Sequence, residues 1–161
     1  MLDALRRPVM IDFGITRFMD AGEAVPVGCG SPTYMAPEQT VLNDLKDEPE
    51  RRDALQASLS ADRCDVWAWG CMVMQLALGL GGLGRCVFDV AYRIADELKG
   101  YEVDRAAGEL PSCLPAQLRS LLAERVFVTP AQRASAAELQ SHPYFAALDW
   151  GELMARAGPV L

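Results

Sequence analysis

The sequence is poor in the residues that several common kinds of site require. It has a single histidine, His142, so a Ser-His-Asp type triad or a multi-histidine metal centre has almost no material to work with. Lys and Arg number 15 against 22 Asp and Glu, a net charge of −7, and no basic block occurs, which argues against nucleic acid as a partner. The five cysteines, Cys29, Cys64, Cys71, Cys86 and Cys113, are odd in number, scattered and without a C-x-x-C pair. Neither a disulfide framework nor a zinc site follows from them, and reduced thiols in an intracellular compartment are the expectation. The start of the chain, Met1 to Pro8, has no long apolar core followed by a small-residue cleavage site and does not read as a secretory signal. One apolar run approaches a membrane span, Val66 to Gly84, where Gln75 is the only strongly polar side chain. Gly79, Gly81, Gly82 and Gly84 should stop that helix near Leu78, short of the roughly 20 residues that hydrocarbon demands but suited to a helix buried on all sides.

What is present suits one globular domain or part of a larger one: 161 residues, 51% of them hydrophobic. Pro8 to Ile11 is a short apolar, partly β-branched run that reads as a strand leading into Asp12-Phe13-Gly14. Thr16 to Glu38 has no sustained period and carries Gly22, Pro26, Gly28, Gly30, Pro32 and Pro37, the pattern of a long functional loop. Residues 43–60 are dense in charge and read as a solvated insertion with some helix. Asp65 stands where an N-cap belongs, before an apolar helix over Val66 to Leu78 that Gly79 closes. Further helices are expected over Val87 to Leu98, after Pro115 with Leu118, Leu121 and Leu122 on one face, from the capping box Ser135 to Glu138, and over Asp149 to Ala157. Trp67 and Trp69 read as core. The sum is mainly α with little strand, and no repeat or low-complexity segment is visible.

Four segments in order resemble the C-terminal lobe of a protein kinase catalytic domain. They are Ile11-Asp12-Phe13-Gly14, then Gly30-Ser31-Pro32-Thr33-Tyr34-Met35-Ala36-Pro37-Glu38, then Asp65-Val66-Trp67-Ala68-Trp69-Gly70, and finally Pro130-Ala131-Gln132-Arg133 followed by His142-Pro143-Tyr144-Phe145. Each alone is a weak pattern; together they span nearly the whole chain. The resemblance implies a kinase-like C-lobe with a short N-terminal β-hairpin and about five helices. It also implies a partial kinase domain over residues 1–150, with an activation segment at 12–38, the charged insertion at 43–60, a helical core at 65–145 and a tail at 151–161. Ser31 stands where serine/threonine kinases carry a hydroxyl residue. Cys29-Gly30 and the tail Phe145 to Trp150 are similar to the cyclic-nucleotide-dependent group.

The implied chemistry is transfer of the ATP γ-phosphate to protein Ser or Thr, with ATP and Mg²⁺ as cofactors. Phosphoryl transfer needs charge neutralised at the phosphates, and Mg²⁺ takes hard oxygen ligands, often one or two carboxylates. The resemblance assigns that ligand to Asp12, with Phe13 packing inward behind it and Gly14 letting the backbone turn. Asp12 and Ser31 are the expected catalytic-site residues, and Ser31 with Tyr34 would shape the pocket for the protein substrate. Glu38 and Arg133 are carried over as a structural ion pair, and Asp65 as an acceptor for the backbone of the catalytic loop. Gly79 to Gly84 satisfies G-x-G-x-x-G but follows a helix rather than a strand, so it reads as a helix stop.

A glycine-rich loop, a strand lysine with its helix glutamate, and a catalytic loop with its base Asp and metal-binding Asn do not occur in these residues. Met1-Leu2-Asp3 resembles the strand that follows that Asn, which suggests a fragment beginning just past the catalytic loop and inactive alone. The activating phosphothreonine of the resembled group would fall at Val27, which cannot carry it. The competing reading is a non-catalytic, pseudokinase-like interaction module.

Overall fold

In the computed structural model, which describes residues 9–20, 23, 25, 30–79, 84–102 and 109–157, the described residues form seven α-helices. These are α1 (Pro37–Asp44), α2 (Pro49–Ala57), α3 (Ala61–Leu78), α4 (Gly84–Leu98), α5 (Ala116–Leu121), α6 (Ala136–Gln140) and α7 (Trp150–Ala157). Short 3₁₀ turns occupy Pro32–Tyr34, Leu45–Asp47 and Pro143–Phe145, and a π-helical turn, Leu122–Val126, continues α5. No strand occurs among the described residues. Part of the expected amino-terminal hairpin lies outside them; Met10 and Ile11 are exposed coil, with no neighbouring sheet edge among the described residues to take up their backbone hydrogen bonds.

α3 is the central element. Ser60 takes the extended N-cap conformation (φ −135°, ψ 127°), and the Cys64 N–H donates to its carbonyl at 3.3 Å, so the helix begins about a turn before the expected Asp65 cap. Asp65 therefore lies inside the helix, only partly exposed, and caps nothing. Partial burial, and secondarily the carboxylate of Asp62, pushes its carboxyl above the usual range. At the other end Gly79, at φ 86°, stops the helix where the sequence places the stop.

The core gathers around α3. Trp67, Cys71 and Met74 meet Val87, Val90 and Ile94 of α4, Leu118 and Leu121 of α5, and Leu122 and Val126 of the π-turn. Trp67 packs edge-on against Phe127, ring centroids 5.0 Å apart at 73°. The π-turn comes so close to α3 that a Cβ on Gly70 would lie 2.5 Å from Val126 Cγ1. No helix among the described residues is long and apolar enough to cross a membrane.

The charged segment at 43–60 is more helical than its composition suggests. Pro37 and Pro49 preset the first turns of α1 and α2. Val41 and Leu45 are buried with Ala95 of α4, and Leu55 and Leu98 pack beside them. Two polar ties hold the segment to the end of α4: Lys99 Nζ lies 2.6 Å from Asp44 Oδ2, and Arg51 Nη2 donates to the Lys99 carbonyl at 3.0 Å. The second of these satisfies a carbonyl of the α4 terminus.

The chain's end is built as its local signals dictate. Ser135 Oγ accepts from the Glu138 N–H at 3.2 Å while Glu138 Oε2 accepts from the Ser135 N–H at 2.7 Å, a complete capping box for α6. Trp69, Phe145 and Trp150 form a contiguous aromatic run, and Trp150 Nε1 donates to the Gln140 carbonyl.

Candidate functional site

Glu38 and Arg133 are the only buried polar or charged residues among those described, 0% and 1% exposed. Glu38 enters on the first turn of α1; Arg133 follows the π-turn. Arg133 Nη1 donates to Glu38 Oε1 at 2.5 Å and Nη2 to Oε2 at 3.1 Å, a bidentate pair spanning 95 positions. The remaining donors are also used: Nε to the Val126 carbonyl (3.0 Å), Nη1 to that of Arg63 (3.1 Å) and Nη2 to that of Val128 (3.1 Å). A guanidinium has five N–H donors, so every one is satisfied. Its face lies 5.0 Å above the Trp67 ring. Cys64 Sγ donates to the same oxygen that Arg133 Nη1 engages, Glu38 Oε1, at 3.5 Å. Burial and then Glu38 push the Cys64 thiol well above its ordinary range, so it stays protonated as a donor. This arrangement does no chemistry; it pins the chain just after the 30–36 segment to the helical core.

That segment is shaped by its glycine and proline. Gly30 is at φ 97°, and Pro32 starts a 3₁₀ turn through Tyr34. Ser31 is exposed. Tyr34 is half-buried, and its O–H donates to Gln75 Oε1 on α3 at 2.7 Å. Ser31 and Tyr34 thus share one turn, anchored to α3 at one end and leading into the Glu38 site at the other.

Asp12 stands apart from this assembly. Its φ of 63° makes it the one non-glycine residue in the left-handed region among those described. Its Oδ1 accepts from the Gly14 N–H at 3.4 Å across a tight turn, and it makes no hydrogen bond to the helical core. Phe13, expected to pack inward, is 62% exposed, because no described residue covers its ring. One exposed carboxylate is a suitable hard ligand for Mg²⁺ when phosphates and waters supply the rest. No group of three acidic, histidine or cysteine side chains that could hold a metal alone occurs among the described residues.

Asp65, expected to accept hydrogen bonds from a catalytic loop, accepts none from the described residues. Val27, Cys29 and most of Gly79 to Gly84 lie outside the described residues. A cleft of about 480 Å³ between α4 and α5, lined by residues including Val90, Arg93, Leu110, Arg119 and Phe127, includes none of the expected site residues. Sequence reasoning missed Gln75 as the partner of Tyr34, although its isolation in an apolar helix was a usable signal. It also missed Cys64 and the carbonyls of Arg63, Val126 and Val128 around Arg133, for which the sequence carries no signal.

A family model described as "Protein kinase domain" matches residues 1–145. Among curated proteins, the chain is 26% identical over 138 residues to the protein kinase domain-containing protein ppk9 of Schizosaccharomyces pombe, covering 86% of this chain and 22% of the relative. It is 30% identical over 145 residues to the SNF1-related protein kinase catalytic subunit alpha KIN12 of Arabidopsis thaliana, covering 90% and 25%. It is 27% identical over 146 residues to the probable serine/threonine-protein kinase MARK-A of Dictyostelium discoideum, covering 89% and 12%. The chain thus spans no more than 25% of the length of these relatives. Their SNF1-related and MARK names lend no support to the cyclic-nucleotide-dependent grouping suggested by the tail. No solved structure matches the chain.

Proposed function

The chain belongs to the protein kinase domain family, and from that premise we propose that it is the C-terminal lobe of a serine/threonine kinase that transfers the ATP γ-phosphate to protein substrates as part of a complete domain. The observation that carries this reading is the bidentate, buried Glu38–Arg133 pair, which ties the end of the 12–38 segment to the helical core. A segment so anchored can present a substrate hydroxyl reproducibly, and phosphoryl transfer depends almost wholly on positioning and charge stabilisation. In this reading Ser31 and Tyr34 shape the pocket at the acceptor residue. Asp12, on the turn that Gly14 closes, would hold Mg²⁺ on the nucleotide, and the ion when bound would neutralise charge on the β and γ phosphates. Asp65 receives the backbone of a catalytic loop supplied with the rest of the domain. The compartment is intracellular, in keeping with the free cysteines.

We infer that the 161-residue chain alone transfers no phosphate; the exposed turn of Asp12, which makes no hydrogen bond to the helical core, supports this reading. The same exposure favours one alternative, a non-catalytic interaction module. The test is to read the messenger upstream of Met1, express the longer product and assay transfer from labelled ATP beside the 161-residue chain. An upstream His-Arg-Asp type loop, with transfer to Ser/Thr peptides that Asp12→Asn abolishes, is the expected result. A longer product without that loop or that activity would leave the module, and Asp12-dependent transfer by the 161-residue chain would overturn its predicted inactivity.

A further inference from the structure

Two of the free thiols are brought together where α4 packs against the segment that leads into α5. Cys86 stands on the first turn of α4, half-buried and packed against the core. Val90 lies one turn later on the same helix face and lines the cleft with Leu110 and Ala116. Cys113 falls between those last two residues in the chain. The Leu114 N–H donates to the Pro111 carbonyl at 3.2 Å, closing a turn with Cys113 at its third position, and the buried Leu114 side chain fixes that turn to the core. Cys113 itself is exposed. Burial pushes the Cys86 thiol up, and Asp89 and Cys113 add smaller pushes, so the two sulfurs lie within electrostatic reach of one another. Both are free thiols, and the other described cysteines, Cys64 and Cys71, are buried on α3.

We propose that Cys86 and Cys113 form a redox modification site, closing an intrachain disulfide between the first turn of α4 and the turn before α5 when a small disulfide such as glutathione disulfide accumulates. Exposed Cys113 reacts first. Its thiolate attacks one sulfur of glutathione disulfide, which forms a mixed disulfide and releases one glutathione thiolate. Cys86 then gives its proton to solvent and attacks the Cys113 sulfur, which forms the protein disulfide and releases the second glutathione thiolate. The protein loses two electrons and two protons, and glutathione disulfide gains them as two glutathione thiols. Half-buried Cys86 is a poor partner for the first step, since burial disfavours its thiolate, but the fold holds it where the second step needs it. The closed bond would pin α4 against the approach to α5, beside the cleft that both line. Nothing in this proposal depends on the phosphate-transfer reading.

The test equilibrates the full chain in glutathione buffers of rising oxidised fraction, both native and in urea, then quenches with acid, alkylates and maps the bonds by mass spectrometry. The native chain should form one intrachain bond, Cys86 to Cys113, with Cys64 and Cys71 remaining thiols. A disulfide closes only where the two Cα atoms lie about 4.4–6.8 Å apart, so the native fold should favour this bond over the unfolded chain. The effective concentration of Cys86 at Cys113 should be at least roughly thirtyfold higher in the native chain than in urea, a factor equivalent to about 2 kcal/mol, the low end of what a well-placed disulfide contributes. Cys86→Ser should stop at glutathione bound to Cys113, and Cys113→Ser should leave Cys86 a thiol. The wild-type measurements decide the matter alone if either variant fails to fold. A mixed disulfide that persists on wild-type Cys113, pairing of Cys113 with Cys29 instead, or an effective concentration equal in buffer and in urea would overturn the proposal.

Discussion

Removing one partner of the Glu38–Arg133 pair is the most demanding perturbation the structure offers. Glu38→Gln keeps the side-chain shape but leaves a fully buried guanidinium without its counter-ion and turns an amide N–H₂ toward N–H donors. The loss of one member of a buried pair costs about 3–5 kcal/mol. Arg133→Met should cost at least as much. It strands the Glu38 carboxylate with only the Cys64 thiol, and it also removes the donors to the carbonyls of Arg63, Val126 and Val128. Of these the Val126 carbonyl is buried, and a buried acceptor left without a donor adds about 1–3 kcal/mol. Against a total domain stability of about 5–15 kcal/mol, either change is a large fraction of the whole. The double variant should be less damaging than the sum, because it leaves no unpaired charge, with a coupling of about 2–3 kcal/mol. Arg133→Lys should not rescue, since an ammonium cannot reach five acceptors in a planar fork. Urea titrations followed by tryptophan fluorescence suit the measurement, because Trp67 lies directly beneath the guanidinium. A Glu38→Gln cost below about 1 kcal/mol with an additive cycle would refute the reasoning, since neither a buried charge nor a coupled pair behaves that way.

Four further outcomes follow from other parts of the molecule. Gly70→Ala should destabilise by about 1–3 kcal/mol in the same titration, because its Cβ would meet Val126 Cγ1 at 2.5 Å and the Phe127 ring at 3.2 Å; a neutral substitution would mean that α3 and the π-turn are not in contact. Ser135→Ala should cost about 0.5–2 kcal/mol by removing the α6 cap. The backbone N–H of Ser135 lowers the Glu138 carboxyl below its ordinary 4.5, so its contribution is present above that value and lost as pH falls through the lower folded value; a Glu138→Ala variant should therefore converge with wild type in acid, and a stability gap unchanged to the lowest pH would exclude the capping role. A thiol reagent should label exposed Cys113 rapidly in the native protein and leave Cys64 and Cys71 until unfolding, because burial pushes the Cys71 thiol up to about 12 and that of Cys64 higher still. Early labelling of Cys71 would show that the core opens locally.

Much of the local architecture was legible because its signals are short-range. Gly79 could be read as the stop of α3 and Ser135 to Glu138 as a cap, since each needs only residues within one helical turn. Asp65 misled for a related reason: two cap-like residues, Ser60 and Asp65, lie near the start of one helix, and the choice between them depends on which backbone takes the extended conformation. The charged stretch at 43–60 looked solvated because its few apolar residues, Leu45 and Leu55, show their purpose only against Ala95 and Leu98 of α4. Of the candidate site, the order of the four segments was visible in the chain, whereas the proximity of Glu38 to Arg133 could be anticipated only through resemblance.

The sequence by itself determined the mainly helical character, the end of the central helix, the burial of Trp67 and the membership of the kinase family, because periodicity, caps and ordered motifs are written along the chain. Tertiary structure alone decided that five acceptors drawn from three segments converge on Arg133, that Gly70 admits the π-turn, and that the lone amide of α3 meets Tyr34. These are contacts between residues remote in the chain. Their energy comes from desolvation and geometry at a meeting point, which no local pattern of residue types encodes.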